Sequence, residues 1–307
     1  MSETLADRIT RSADRAVHPA ITQFAERLAH EAGAAAVLFY GSNLRTGSLD
    51  GVLDFYVLMP ADAGESVPAK TRADRIWPRI GYRECSHDAQ ILRAKTATMP
   101  IDTFARAAAG RSRDTTIWTR FVQPSALVWS RDEAARDAVL AALADAAKTA
   151  SRLAATLGPA SGTADAYWRA LFQATYKAEF RVEKRGREDS ILSVNADHFD
   201  GLLPLAWSAQ GLVFERAGNT LRPRLSEKEQ RRAMRWWRRR RRLGKPLNLM
   251  RLMKASTTFD GAARYAAWKV ERHTGIAMEV TPAREKRPLL AAPEVLYRLW
   301  RHRRKRH

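Results

Sequence analysis

A chain of 307 residues with 45% hydrophobic content has enough apolar side chains to bury a core of domain size, which excludes a disordered polymer. Its single cysteine, Cys85, excludes an internal disulfide framework and suits a reducing compartment. The net charge of +20 belongs to one half: residues 1–150 hold 19 Lys/Arg against 18 Asp/Glu, whereas residues 151–307 hold 34 against 15, so the second half is the part that draws anionic partners, nucleic acid or acidic lipid.

In chain order, the polar start MSETLADRITRSADRA lacks the apolar core of a signal peptide, and no run of about 18 apolar residues occurs to span a membrane as a helix. Leu5–Ala32 repeats apolar residues at helical spacing, predicting one amphipathic helix or a pair broken at His18-Pro19, with Gly33 as its end. Val37–Leu58 then reads as strand, Gly41-Ser42 turn, connecting segment and second strand. Pro60–Pro68 reads as a loop, Ala69–Trp77 as a short helix, and Gly81–Cys85 with Ile91–Met99 as a strand pair. Asp102–Ala109 is expected to be a short helix. Phe121–Trp129 is extended, with Pro124 confining it to an edge or a break. Arg131–Ala150, Ala-rich with Asp132 near its start, predicts a helix. Leu157–Thr163 (LGPASGT) reads as a linker. Beyond it the pattern is mostly helical: Asp165–Arg181, a less regular stretch around 195–211, Ser226–Leu243 stopped by Gly244-Lys245-Pro246, then Leu247–Lys254, Gly261–His273 and Pro293–Arg306. No P-loop or GxGxxG signature is present.

The chemistry concentrates at Val37–Leu58. Asp54 stands alone in the apolar run Val52–Leu58, where a carboxylate is costly unless a cation pairs with it. Mg²⁺ would serve, with substrate phosphates completing its shell. The turn Gly41-Ser42 offers close backbone approach and N–H groups for phosphate. Arg93 and Lys95, two apart, share one strand face and suit a triphosphate or, in the plainer reading, solvent.

This pattern of hydrophobic-Gly-Ser, spacer and acidic strand resembles the DNA polymerase β-type nucleotidyltransferase superfamily. One departure is that Tyr56 stands where that superfamily usually carries a second acid. Tyr40-Gly41-Ser42, Leu53-Asp54-Phe55, Lys95, the Trp118 segment Ile117–Phe121 with Gln123-Pro124, and Arg251–Ser256 with Phe259 and Gly261 resemble in order the mitochondrial-type phosphatidate cytidylyltransferases, which are peripheral CDP-diacylglycerol synthases. The resemblance covers residues 37–130 and, more weakly, 250–262. It implies transfer of a cytidylyl group from CTP to phosphatidate at the inner, cytoplasmic face of a membrane. Asp54 would hold Mg²⁺ and Lys95 would stabilise the transition state. Tyr40, Gly41, Ser42, Asn43 and Arg93 would bind the nucleotide. Asp50 and Glu84 are the spare acids that could add a ligand, and Arg45 could reach phosphate or solvent.

The densest charge block runs from Arg231 to Arg242. Arg235, Arg238, Arg239 and Arg242 share a helical face, and Trp236-Trp237 lie among them. Three readings stand: an anchor on an anionic membrane, with indoles at the headgroups; a clamp on nucleic acid; or a helix with packed tryptophans and solvated arginines. The apolar-then-basic segment Leu289–Arg306 repeats the theme. The expected architecture is α+β: a nucleotidyltransferase-type mixed sheet with flanking helices over residues 1–150, then a helical basic domain over 151–307. The rival functions are a nucleotidyltransferase acting on RNA, a small molecule or protein, and an inactive relative that binds anionic lipid or nucleic acid.

Overall fold

A computed structural model describes residues 3–61, 77–88, 90–112, 114–178, 187–262, 264–265 and 267–268. Helices α1 (Leu5–Ala13) and α2 (Pro19–Ala32) precede strand β1 (Ala36–Tyr40), the short helix α3 (Ser42–Thr46) and strand β2 (Leu53–Met59). The hairpin β3 (Arg79–His87) and β4 (Gln90–Pro100) follows, then α4 (Ile101–Ala108), α5 (Thr116–Phe121) and β5 (Ser125–Ser130). Next come α6 (Glu133–Leu157), β6 (Gly162–Thr163), α7 (Ala164–Ala178), α8 (Arg187–Val194), α9 (Ala196–Phe199) and α10 (Leu202–Ser208). The hairpin β7 (Phe214–Ala217) and β8 (Thr220–Pro223) leads into the long helix α11 (Glu227–Thr258).

The protein is α+β. Its main sheet has the order β3-β4-β2-β1-β5, with β2 and β4 parallel and the other pairs antiparallel. Both faces of β2 are covered, which is why it reads as a nearly unbroken apolar run. Leu53, Phe55 and Val57 pack with Phe24 of α2, Val37 and Phe39. Tyr56 and Leu58 point the other way, into a cluster with Leu38, Phe104, Trp118 and Phe121. Asp54 belongs to this second face, at its open end.

Local signals set the element ends. Pro19 opens α2 behind an N-cap at His18, and Gly33 closes it in the left-handed conformation, so Leu5–Ala32 is a pair of helices. Pro124 lies just ahead of β5, an edge strand. Asp132 caps α6 by accepting from the Ala135 N–H.

Four expectations need correction. The boundary near residue 150 falls inside α6, and one buried cluster joins Leu38 and Tyr56 to Trp168, Phe172 and Trp207. The stretch after 211 contains the β7–β8 hairpin, pinned by the Gly218-Asn219 turn, in a small second sheet with β6. Gly244-Lys245-Pro246 does not stop a helix: α11 runs through Pro246, because Gly244 and Asn248 on either side are both buried on one inward face. A Cβ on Gly244 would lie 2.0 Å from the Ala178 carbonyl oxygen, so glycine is what lets α11 lie against the end of α7. Finally, Trp237 is buried and Trp236 packs at the core margin; they hold α11 down and are not surface anchors.

The inward face of α11 is Trp237, Arg240, Gly244, Asn248 and Lys254, spaced by three or four residues apart from the final, longer interval. Opposite it, Arg235, Arg238, Arg239 and Arg242 are exposed as the sequence pattern predicts, and the stripe continues into exposed Leu249 and Met250. No described helix is long and apolar enough to cross a membrane. The expected loop at 60–68, the helix at 69–77 and the segment 289–306 lie wholly or almost wholly outside the described residues.

Candidate active site at the Gly41–Asp54 turn

Strand β1 ends at Tyr40, and the chain turns at Gly41 with φ 93° and ψ −159°, a conformation essentially confined to glycine. The turn launches α3, whose Asn43 is buried. The Asn43 amide donates to the backbone carbonyls of Ser48 (2.9 Å) and Asp50 (2.8 Å). Its side chain therefore braces the loop to β2, which leaves the expected nucleotide contact of this residue to its backbone N–H. Ser42 is exposed, with its hydroxyl directed to Asn43 Oδ1 at 3.3 Å.

The carboxylate of Asp54 lies against this turn: a Cβ built on Gly41 would be 2.9 Å from Asp54 Oδ2. In the ladders, Asp54 is the partner of Tyr40 on one side and Lys95 on the other. Lys95 is exposed and shares Asp54's side of the sheet, since parallel register partners point the same way. Burial pushes the Asp54 carboxyl above its ordinary value, and the charges of Lys95 and Arg120 pull it back only in part. A half-buried carboxylate in that condition would gain from a further cation.

Arg120 was not among the expected site residues. It rises from α5, stacks over the Tyr40 ring at 5.1 Å and donates from Nη1 to the Tyr40 hydroxyl at 3.4 Å. Burial raises the Tyr40 phenol to about 12, so it stays protonated at neutral pH. Tyr56, at the position of a second acid, is fully buried among Tyr40, Phe104 and Phe121, and its hydroxyl has no hydrogen-bond partner among the described residues. It is a core residue.

The spare acids are placed differently. Glu84 accepts from the Tyr82 hydroxyl (2.9 Å) and pairs with Arg93 at 3.5 Å. Asp50 is exposed on the loop before β2. Among the described residues, no three Asp, Glu, His or Cys side chains converge as a metal-binding group. A protein-bound Mg²⁺ at this turn would take Asp54 and complete its shell from phosphates and water, as this ion commonly does.

Helix α11 packs against the start of α5 and the segment before β3. Buried Asp114 accepts from Trp77 Nε1 (2.6 Å) and from the Thr116 N–H (2.7 Å). Burial alone would raise its pKa, but Arg251, the Thr116 hydrogen bonds and Arg240 outweigh that and hold it low. Arg240 donates to Thr115 Oγ1 (2.9 Å), Arg251 donates to Thr116 Oγ1, and Lys254 donates to the Trp77 carbonyl (2.6 Å). Asp114 has no distinguishing sequence context, Arg240 is one of many arginines in the Arg231–Arg242 block, and Arg251 and Lys254 belong to a segment marked only by its resemblance. After α11 the chain runs along β3, with the Tyr82 N–H donating to the Asp260 carbonyl at 2.8 Å and Arg83 pairing with Asp260 at 2.8 Å. This carries Trp268 to the Arg93 guanidinium, 5.6 Å from its ring centroid.

The structure thus gathers Tyr40, Gly41, Ser42, Asp54 and Lys95 at one end of the sheet, adds Arg120, and sets Arg93 beside Glu84 and Trp268. The arginine stripe of α11 is on an exposed face of that helix. Compared with protein-family models the chain matches none, and no curated protein matches it significantly.

Proposed function

We propose that the protein is a nucleotidyltransferase and that its reaction is CTP plus phosphatidate to CDP-diacylglycerol plus pyrophosphate. The observation that carries the transferase reading is the Asp54 carboxylate seated against the Gly41 turn with Lys95 in register beside it. A phosphate oxygen of the lipid attacks the α-phosphorus of CTP; the bond from that phosphorus to the bridging oxygen breaks, and pyrophosphate leaves with the electron pair. Backbone N–H groups after Gly41 and the Ser42 hydroxyl hold the leaving phosphates. Lys95 and Arg120 supply positive charge where negative charge develops. Mg²⁺, held by Asp54 and the phosphates, would supply further neutralisation of that charge.

A single carboxylate is chemically sufficient for this acceptor. A sugar hydroxyl needs help to lose its proton, whereas a phosphate monoester, with a second pKa of about 6, is already largely dianionic at neutral pH. The lipid side of the proposal is supported by the exposed stripe Arg235, Arg238, Arg239 and Arg242 running into Leu249 and Met250, charge followed by apolar side chains as an anionic bilayer surface requires.

The test is incubation with α-labelled CTP, Mg²⁺ and phosphatidate vesicles. Label extracted with the lipid, lost in Asp54→Asn and Lys95→Ala, is the expected result. Tyr56 in place of a second acid favours one other reading, an inactive fold that binds anions; label in no product, with vesicle binding retained, would establish that instead.

A further inference from the structure

Beside the Asp54–Lys95 pair the surface opens into a groove of about 550 Å³, within the range of small-ligand sites. Its walls come from three separate parts of the chain. The loop before β2 gives Asp50 and Gly51, the start of β4 gives Gln90, Ile91 and Arg93, and the segment after α11 gives Trp268.

The position is informative. Arg93 is two residues before Lys95 on the same face of β4, so one end of the groove lies about 7 Å from the lysine. Gly51 is three residues ahead of Asp54. A nucleotide with its phosphates at the Gly41 turn therefore has this groove as a neighbouring recess.

The lining is equally informative. Trp268 contributes an indole that carries the Arg93 guanidinium over its ring and lies beside the Tyr265 ring at 6.2 Å; Arg93 is itself fixed by Glu84 at 3.5 Å and by the Ile91 carbonyl at 3.2 Å. Ile91 is 50% exposed, a large apolar side chain on the groove wall. Asp50 adds a carboxylate and Gln90 an amide. An aromatic plate, an apolar wall and two polar edge groups match a planar heterocycle, whereas an acyl chain would have nothing to exchange with Asp50 and Gln90 at the rim.

We infer that this groove is the nucleobase site, with the base against Trp268 and Asp50 accepting a hydrogen bond from an exocyclic amine. This rests on the transferase reading and adds to it a source of base preference. A carboxylate accepts from the amine of cytosine and repels the carbonyl oxygen that uracil carries at the same position. The site therefore selects CTP over UTP.

The experiment compares wild type, Trp268→Ala, Trp268→Phe and Asp50→Ala, using steady-state kinetics with CTP and with UTP, calorimetric binding of CTP with Mg²⁺, and inhibition by tripolyphosphate. Trp268→Ala should raise KM and Kd for CTP at least about fivefold with kcat largely kept, and Trp268→Phe should recover part of the loss. Asp50→Ala, on an exposed loop that tolerates the change, should erase the preference for CTP over UTP. Tripolyphosphate inhibition should be unchanged in all three, since it uses the turn and not the groove. Unchanged KM, Kd and base preference in both Trp268→Ala and Asp50→Ala, with Asp54→Asn still inactive, would overturn the base site while leaving the transferase reading intact. Wild-type protein that neither turns over nor binds CTP would overturn both.

Discussion

The carboxylate of Asp54 occupies the space that a side chain on Gly41 would need: an added Cβ would be 2.9 Å from Oδ2. The turn and the acid come from different strands, yet each excludes alternatives at the other. The backbone conformation favours glycine alone, and an added Cβ would push the Asp54 carboxylate out of its place.

Gly41→Ala is therefore expected to be costly twice. Placing alanine in this backbone region costs about 1–3 kcal/mol, which thermal or urea unfolding will register. Displacement of the Asp54 carboxylate relative to the turn should lower turnover by up to ~100-fold, because the position of the phosphates relative to Asp54 and Lys95 changes. An equal rate in the alanine variant would mean that phosphates do not bind at the turn.

Asp54→Asn should separate stability from activity. Burial raises the folded-state pKa of Asp54 above its unfolded value. In the window between those two values the folded state holds the extra proton, so stability falls as pH rises through it and the deficit is complete once pH exceeds the folded-state value. The amide carries no charge to desolvate. The variant should melt at a higher temperature than wild type at pH 7, with the difference shrinking on acidification below the ordinary carboxylate range, while turnover is lost. A lower melting temperature at neutral pH would show that Lys95 and Arg120 stabilise the carboxylate more than burial destabilises it.

Much of this was legible because it depends on local rules. An apolar strand on both sides of one acid, a Gly-Ser turn and the cations two apart on β4 place Asp54, Gly41 and Lys95 together once β2 and β4 pair. Arg120 and Asp114 were not legible, since their importance arises from where α5 lands over Tyr40 and under α11. The helix through Pro246 was misread for a related reason. Proline's local cost was visible, but the buried contacts of Gly244 and Asn248 that offset it are tertiary. Trp236-Trp237 show the same limit: adjacent indoles in a basic block fit an interface or a core, and only packing decides.

His198 provides a pH response outside the site. Its Nε2 donates to the Val122 carbonyl at 2.9 Å, and its Nδ1, 3.3 Å from the Ser12 hydroxyl, accepts from it in the neutral ring. Burial, against that hydrogen bond, lowers its pKa from 6.5 to about 4. The unfolded chain therefore binds the proton first, and stability is lost as pH falls from about 6.5 towards 4, by up to ~1.4 kcal/mol per pH unit. His198→Gln should flatten that slope in urea titrations at pH 4.5–7; an unchanged slope would place the acid sensitivity elsewhere.

The two faces of α11 should respond oppositely to substitution. Trp237→Ala removes a buried indole and should cost ~3–5 kcal/mol of stability. Replacing exposed Arg235, Arg238, Arg239 and Arg242 together by Gln removes no buried contact and should leave the melting temperature nearly unchanged. At an anionic bilayer each arginine contributes about 1 kcal/mol, so the fourfold variant should partition to phosphatidate-containing vesicles roughly a thousand times more weakly at low salt. Neutral vesicles should bind both proteins equally poorly, because Leu249 and Met250 alone bury too little apolar surface to hold the protein there. Added salt should abolish the difference on anionic vesicles, since these exposed charges are screened within about 10 Å at 0.1 M. If sedimentation with anionic vesicles is the same for both proteins, the stripe is only a solvated face, and the lipid acceptor must reach Asp54 without help from α11.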